Sequence, residues 1–177
     1  MTKAEMESGF QKIWDLFAAT DREFKELKQL FQRTDDKINA LDGKWGRFVE
    51  GLVVPGVKRL FGERGIALEK VYPRAEAHKK GETIEIDVLA VGEEHVVMVE
   101  VKSTLSVDDV KEHLHELGRF KTFFPEYADR KVLGAVAGIV IEQNVSRYAY
   151  QQGLFVIGQS GDAVRVLNDD KFRPKEW

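Results

Sequence analysis

Residues 83–102 read TIEIDVLAVGEEHVVMVEVK. Polar and apolar residues alternate at the start of this stretch, and an apolar run follows a short polar turn around Glu93 and Glu94. This pattern is typical of two paired β-strands. A turn centred on these two residues predicts antiparallel pairing with Asp87 opposite Glu100. The pair would then lie in neighbouring strands of a sheet.

Charged residues end the second strand, where the interior of a sheet normally has apolar side chains. Glu100 and Lys102 share one strand face, and the same register places Glu85 opposite Lys102. Burying such charges without partners is strongly unfavourable. Cross-strand neighbours have Cβ atoms about 5 Å apart, so the carboxylates of Asp87 and Glu100 suit a hard divalent cation. Lys102 can then neutralise a phosphate oxygen or orient a water molecule.

The remaining pattern predicts an α/β domain over residues 44–177. Helical spacing from Trp45 is interrupted at Pro55-Gly56, and Ser106 with Asp109 forms the signature of a helix-opening capping box. Mixed strands with helices on both faces are expected, and the residues from Asp169 onward are expected to be a tail. Besides the two strands above, we predict a first strand around residue 71, a helix over 106–124, strands at 133–141, 154–157 and 163–167, and a short helix over 145–152.

The first 43 residues predict a coiled-coil oligomerisation helix. A seven-residue repeat runs over residues 10–41, and neither Pro nor Gly interrupts it. We expect a homo-oligomer through this segment, although a single amphipathic helix packed on its own domain is the alternative. The number of chains stays open. The first heptad position holds Phe10, Phe17, Phe24, Phe31 and Ile38, and the fourth holds Ile13, Thr20, Leu27, Thr34 and Leu41.

Composition narrows the class of protein. The chain has 177 residues, a net charge of −3 and no cysteine, so disulfides and thiolate metal sites are excluded. No apolar stretch reaches the length of a membrane span, and a signal-peptide pattern is absent, so a soluble, cytoplasmic protein is the expectation. Residues 44–80 carry nine Lys or Arg against four Asp or Glu. This basic segment is a candidate phosphate-binding face.

Asp87 followed after twelve residues by Glu100-Val101-Lys102 resembles the signature of the PD-(D/E)XK nuclease superfamily, which includes restriction-endonuclease-like enzymes and Holliday-junction resolvases. The resemblance covers about residues 44–157. It implies a restriction-endonuclease-like mixed sheet flanked by helices, with a helix, a three-strand meander, a second helix and a further strand in that order. The proline of the name is absent, because Ile86 precedes Asp87.

The resemblance also implies an activity, that of a metal-dependent endonuclease. Asp87, Glu100 and the carbonyl of Val101 would hold Mg²⁺ or Mn²⁺, and Lys102 would position the nucleophile. Many relatives place a glutamate on the first helix, and Glu50 is the residue that matches it. The nucleic acid, DNA in our expectation, would contact the basic segment. The residues of that segment expected to bind nucleic acid are Lys58, Arg59, Arg74, Lys79 and Lys80.

Two other functions remain open from the sequence. The domain could be a non-catalytic DNA-binding or scaffold protein that retains the fold, or the coiled coil could be a module that recruits a partner protein. Two histidines lie on the predicted helix after the second strand. His113 points near the apolar stripe of this helix and is expected to be a packed core residue, whereas His115 lies on the exposed side with Lys111. A zinc role is not expected, because no third or fourth ligand at a suitable spacing is evident.

Overall fold

The protein is described by a computed structural model that covers residues 48–177 and, before them, residues 12, 16–17, 19–20, 22–28 and 30. The chain divides into two units, Met1–Lys44 and Trp45–Trp177. The described residues of the first unit are helical and exposed. Most of the predicted heptad repeat lies outside the described residues, so the coiled coil stays a prediction.

Six strands of the second unit form one mixed sheet in chain order. The first three are an antiparallel meander, the third, fourth and fifth run parallel, and the sixth returns antiparallel. The strands are β1 (Lys70–Lys79), β2 (Glu82–Val91), β3 (His95–Leu105), β4 (Lys131–Ile141), β5 (Phe155–Ser160) and β6 (Ala163–Val166).

Helices precede the meander and connect the parallel strands. A π-helical segment, Val49–Val53, runs directly into α1 (Val54–Gly62). The predicted interruption at Pro55 corresponds to this change of helix type, and Pro55 lies in the first turn of α1, where its missing N–H is tolerated. The parallel connections are α2 (Val107–Phe123) and α3 (Gln143–Gln151), and a short 3₁₀ turn, Pro125–Tyr127, follows α2.

The capping box predicted for α2 is confirmed. The Ser106 hydroxyl accepts the backbone N–H of Asp109 at 3.2 Å, and the Asp109 carboxylate accepts the backbone N–H of Ser106 at 2.8 Å. Two N–H groups that a helix start leaves without intrahelical partners are thereby satisfied. This cap fixes where α2 begins, directly after β3.

Each face of the sheet is covered by its own hydrophobic cluster. Side chains of α1 and the π-helical segment pack with Val97, Val99 and Val101 of β3 on one face. Side chains of α2 and α3 pack with Val96 and Met98 of β3 on the other. Glu100 and Lys102 continue the alternation of Val96 and Met98, so they lie on the face covered by α2.

Helix α2 approaches β4 closely because β4 has a glycine at the contact. A Cβ atom added to Gly134 would lie 2.5 Å from a methyl carbon of Leu117 on α2 and 2.4 Å from one of Leu154. Both atoms are at the ends of leucine side chains, so a larger residue at position 134 would require these side chains to move.

The α/β class and the mixed sheet flanked by helices are confirmed, in the predicted order of elements. The prediction that the residues from Asp169 onward form a tail is wrong. Phe172 is buried, and the backbone N–H groups of Lys175 and Trp177 donate to the carbonyls of Gly153 and Val132. The last residues therefore pack on the sheet, through contacts with distant elements that a local sequence pattern does not encode.

No helix within the described residues is both long and apolar enough to cross a membrane.

Candidate metal centre between strands β2 and β3

Strands β2 and β3 pair over only part of their length. Backbone pairs run from Val88 with Val99 to Val91 with Val96, in agreement with the predicted register. Beyond the first of these pairs the ladder ends, so the expected pairing of Asp87 with Glu100 and of Glu85 with Lys102 is absent. From there β3 pairs only with β4, and β2 only with β1. The strands therefore part where the predicted site residues lie.

Asp87 bridges the gap between the separating strands. One oxygen of its carboxylate accepts the backbone N–H of Val101 at 2.8 Å. The Asp87 side chain thus replaces the carbonyl that a continued ladder would have supplied to this N–H. The carboxylate is half-buried and is held against the stretch Glu100–Lys102.

A shift in the alternation of β2 accompanies this arrangement. Ile84 and Ile86 pack in the same hydrophobic cluster as Leu89 and Val91. Even-numbered side chains before Asp87 and odd-numbered ones after it therefore lie on one face, so the alternation slips by one residue at this point. The alternation of Ile84 and Ile86 against Glu85 and Asp87, which the sequence pattern extends to Val88 and Leu89, is therefore broken in β2. Opposite the shift, Arg74 of β1 has a left-handed φ of 52°, which is uncommon for a residue other than glycine. By alternation with Leu89 and Val91, Asp87 lies on the face where Glu100 lies.

Glu100 has a side chain that is only 15% exposed. Burial raises the pKa of Glu100, and the negative charge of Asp87 raises it further. The hydrogen bond and positive charge of Lys102 oppose that rise without cancelling it. The negative charge of Asp87 therefore destabilises the ionised form of Glu100, a situation that a bound cation relieves.

Lys102 supplies the positive charge of the centre. Its ammonium nitrogen lies 2.5 Å from a carboxylate oxygen of Glu100. Burial alone would lower the pKa of Lys102, but the hydrogen bond to Glu100 and the charges of Glu100, Asp87 and Asp109 raise it. Lys102 is therefore held in the charged form beside both carboxylates. The structure brings Asp87, Glu100, Val101 and Lys102 together.

Two residues of α2 extend this centre, and sequence reasoning did not include them. His113 is buried, as predicted, but one of its ring nitrogens forms a cluster with carboxylate oxygens of Glu100 and Glu116 in which all three atoms lie within 4.8 Å of one another. The spacing of His113 and Glu116, three positions apart on a helix, was a visible signal for two ligands on one face. The third member comes from β3, and no local pattern links it to α2.

Glu50 lies in the π-helical segment Val49–Val53. Its backbone is described, but its side chain falls outside the described part of the structure, so its predicted role stays a prediction.

The basic residues predicted to bind nucleic acid lie on helix α1, on strand β1 and in the turn after β1. Lys58 and Arg59 lie on α1, where Arg59 contacts Glu63 at 2.9 Å and donates to the carbonyl of Val164 at 3.0 Å. Arg74, Lys79 and Lys80 belong to β1 and the turn after it, and Lys79 donates to the Thr122 carbonyl of α2 at 2.6 Å. Arg74 is the one beside the centre, because it and Asp87 line the same pocket.

No family model matches this chain, and no match was found among the curated proteins. Among solved structures, the chain is similar to a protein of unknown function, AF1548, at 16% identity and a TM-score of 0.40, over 66% of this chain and 58% of that one. It is also similar to the small subunit of the heterodimeric restriction endonuclease R.BspD6I, at 13% identity and a TM-score of 0.35, over 65% of this chain and 69% of that one.

Proposed function

We propose that this chain is a metal-dependent endonuclease that hydrolyses DNA phosphodiester bonds, with Mg²⁺ or Mn²⁺ as its metal. The observation that carries the proposal is the meeting of Asp87, Glu100 and Lys102 where β2 and β3 separate. Two carboxylates and one ammonium group at a single point of a sheet are the groups that metal-assisted hydrolysis of a phosphate ester requires.

The residues fit a hard divalent cation. Asp87 and Glu100 offer carboxylate oxygens, and their mutual repulsion, added to the burial of Glu100, raises the pKa of Glu100. In an extended strand the N–H and C=O of one residue point to the same side. Because the N–H of Val101 is directed at Asp87, its carbonyl is expected to point to that side as well. Asp87, Glu100 and the Val101 carbonyl are thus the proposed ligands, and Glu50 is a proposed addition to the set.

A divalent cation bound there supplies positive charge to the scissile phosphate and lowers the pKa of a bound water. In hydrolysis the water oxygen bonds to phosphorus, one phosphorus–oxygen ester bond breaks, the water loses a proton and the leaving oxygen gains one. Lys102 is proposed to orient the attacking water or to bind a phosphate oxygen. Its present partner is Glu100. Lys102 would take up that role in place of its contact with Glu100.

DNA is proposed to reach the centre over basic side chains. Arg74 is the basic residue best placed to contact a phosphate at the centre, because it lines the pocket that contains Asp87. Lys58, Arg59, Lys79 and Lys80 are proposed to contact the phosphate backbone farther away, which would make binding sensitive to salt. The chain is further proposed to act as a homo-oligomer through residues 10–41, so that the coiled coil sets the spacing between active centres.

The test is a cleavage assay on supercoiled, linear and branched DNA with the full chain, in Mg²⁺, in Mn²⁺ and in EDTA. We expect cleavage in either metal, none in EDTA, and a preference that shows which form of DNA is the substrate. A parallel RNA substrate tests the choice of DNA. Metal-independent DNA binding without cleavage of any form would overturn the nuclease proposal in favour of a non-catalytic binding protein.

A further inference from the structure

We propose that Glu100, His113 and Glu116 form a binding site for a divalent transition-metal ion, with Zn²⁺ as the probe. The site shares Glu100 with the proposed nuclease centre, but its other two ligands come from α2. The inference concerns metal binding and does not depend on nuclease activity.

The first observation is the state of His113. The side chain is only 1% exposed, and neither ring nitrogen has a hydrogen-bond partner within the described part of the chain. A buried polar group without a partner destabilises a protein. Buried imidazoles normally donate or accept a hydrogen bond or bind a metal. An ion between His113 and the two carboxylates gives one nitrogen the partner that it lacks.

The second observation is the geometry around that nitrogen. One ligand atom each from Glu100, His113 and Glu116 lies within 4.8 Å of the other two, and the Nδ1 atom of His113 is 3.9 Å from a Glu116 oxygen. That last distance is too long for a hydrogen bond. Ligands about 2.1 Å from a tetrahedral ion lie roughly 3.4 Å apart. The three side chains therefore need only a modest contraction to surround one ion.

Two rigid elements hold these ligands. His113 and Glu116 are three residues apart on α2, which places both on one face of the helix. Glu100 is on the neighbouring face of β3, and the start of α2 is fixed by the capping box between Ser106 and Asp109. Glu116 is partly exposed, with a side chain that is 34% accessible, so an ion can enter from that side.

The donor set indicates the class of metal. Imidazole nitrogen is a better ligand for Zn²⁺ and neighbouring transition metals than for Mg²⁺, which prefers oxygen and dehydrates reluctantly. One nitrogen and two carboxylates leave at least one position for water. We therefore expect Zn²⁺, and Co²⁺ as its spectroscopic substitute, to bind here far more tightly than Mg²⁺.

The experiment is a calorimetric titration of the metal-free full chain with Zn²⁺, repeated for His113→Leu and Glu116→Gln. The matched control is His115→Gln, because His115 is exposed on the same helix. Partners of metal ligands already change affinity about 10–100-fold, so loss of a ligand is expected to weaken Zn²⁺ binding by at least ~100-fold. His115→Gln should bind like the wild type.

Leu is apolar and of suitable size for the position of His113, so the variant is expected to fold, which circular dichroism checks. Glu116→Gln changes a partly exposed residue and repeats the test if His113→Leu does not fold. The visible absorption of bound Co²⁺ should likewise be lost in both variants and kept in His115→Gln.

Asp87→Asn separates this inference from the proposed nuclease centre. We expect it to retain the His113-dependent Zn²⁺ site whatever its effect on DNA cleavage. Equal Zn²⁺ affinity in the wild type and in His113→Leu would overturn the inference. So would loss of Zn²⁺ binding in Asp87→Asn alone, because the ion would then belong to the nuclease centre.

Discussion

The ammonium nitrogen of Lys102 lies 2.5 Å from a carboxylate oxygen of Glu100, two positions earlier on the same face of β3. These are the only two charged residues in the otherwise apolar stretch 96–102 of β3. Their contact lies where β2 and β3 separate. Asp87 enters the gap from β2 and acts electrostatically on both residues. The centre therefore contains two carboxylates and one compensating ammonium group in a half-buried setting.

Glu100→Gln is expected to stabilise the metal-free protein at neutral and higher pH. Burial and Asp87 raise the pKa of Glu100, so the folded state disfavours the ionised side chain. The contribution of Glu100 to stability is complete below the pKa of the unfolded chain, about 4.3, and is lost as the pH rises through the higher folded-state pKa. The advantage of Glu100→Gln should therefore grow as the pH rises.

Urea unfolding in EDTA, from pH about 4.3 to above neutral pH, measures the difference in the free energy of unfolding between Glu100→Gln and the wild type. Glu93→Gln is the control, since Glu93 is exposed in the turn between β2 and β3. An advantage that is constant or shrinks with rising pH would contradict the account of Glu100.

Ser106→Ala should lower the free energy of unfolding by about 1 kcal/mol, because it removes the hydroxyl that accepts the Asp109 N–H at the start of α2. Chemical denaturation measures the change. Ser160→Ala, at the exposed end of β5, is expected to stay within about 0.5 kcal/mol of the wild type. Equal stability of the two variants would show that the cap contributes little.

Phe24→Glu is expected to reduce the oligomeric state of the full chain. Phe24 occupies the first heptad position and is 69% exposed in the single chain, so an oligomer would bury it. Light scattering coupled to gel filtration measures the mass. Glu26→Lys changes charge at an outer heptad position and should leave the mass unaltered. A monomeric wild type would contradict the proposed coiled coil.

Phe172→Ala should destabilise the protein by about 3–5 kcal/mol, the usual effect of truncating a buried phenylalanine. The ring of Phe172 lies 5.0 Å from those of Tyr150 and Phe155, measured between centroids. Thermal unfolding monitored by circular dichroism measures the loss, with exposed Lys171→Ala as the control. A small effect at both positions would mean that the last residues do not stabilise the domain.

Features that depend on neighbouring residues were predictable from the sequence. The turn around Glu93 and Glu94 fixed the register of β2 with β3, and the capping box of Ser106 and Asp109 fixed the start of α2. Both are short-range arrangements in which residue type restricts the backbone directly. The register also places Asp87 near Glu100 and Lys102, although the ladder of β2 and β3 ends before these residues and Asp87 accepts the Val101 N–H instead.

Features that depend on tertiary packing were not predictable. The slip in the alternation of β2 at Asp87 lies opposite Arg74, which has a left-handed φ. An arginine in the sequence does not indicate that backbone conformation. The packing of Phe172 depends on side chains from α3 and β5. The meeting of His113 with Glu100 depends on how closely α2 lies to the sheet, which Gly134 permits.

The most direct test of the central claim is the initial rate of Mg²⁺-dependent DNA cleavage by Lys102→Ala relative to Lys131→Ala. Lys131 also lies on a strand and pairs with a glutamate, Glu176, at 3.1 Å, but outside the centre. Removing a group that stabilises transition-state charge lowers such rates about 100-fold or more. We predict that loss for Lys102→Ala and wild-type activity for Lys131→Ala, with both variants folded. Equal rates in the two variants would contradict the assignment of this centre as the nuclease site.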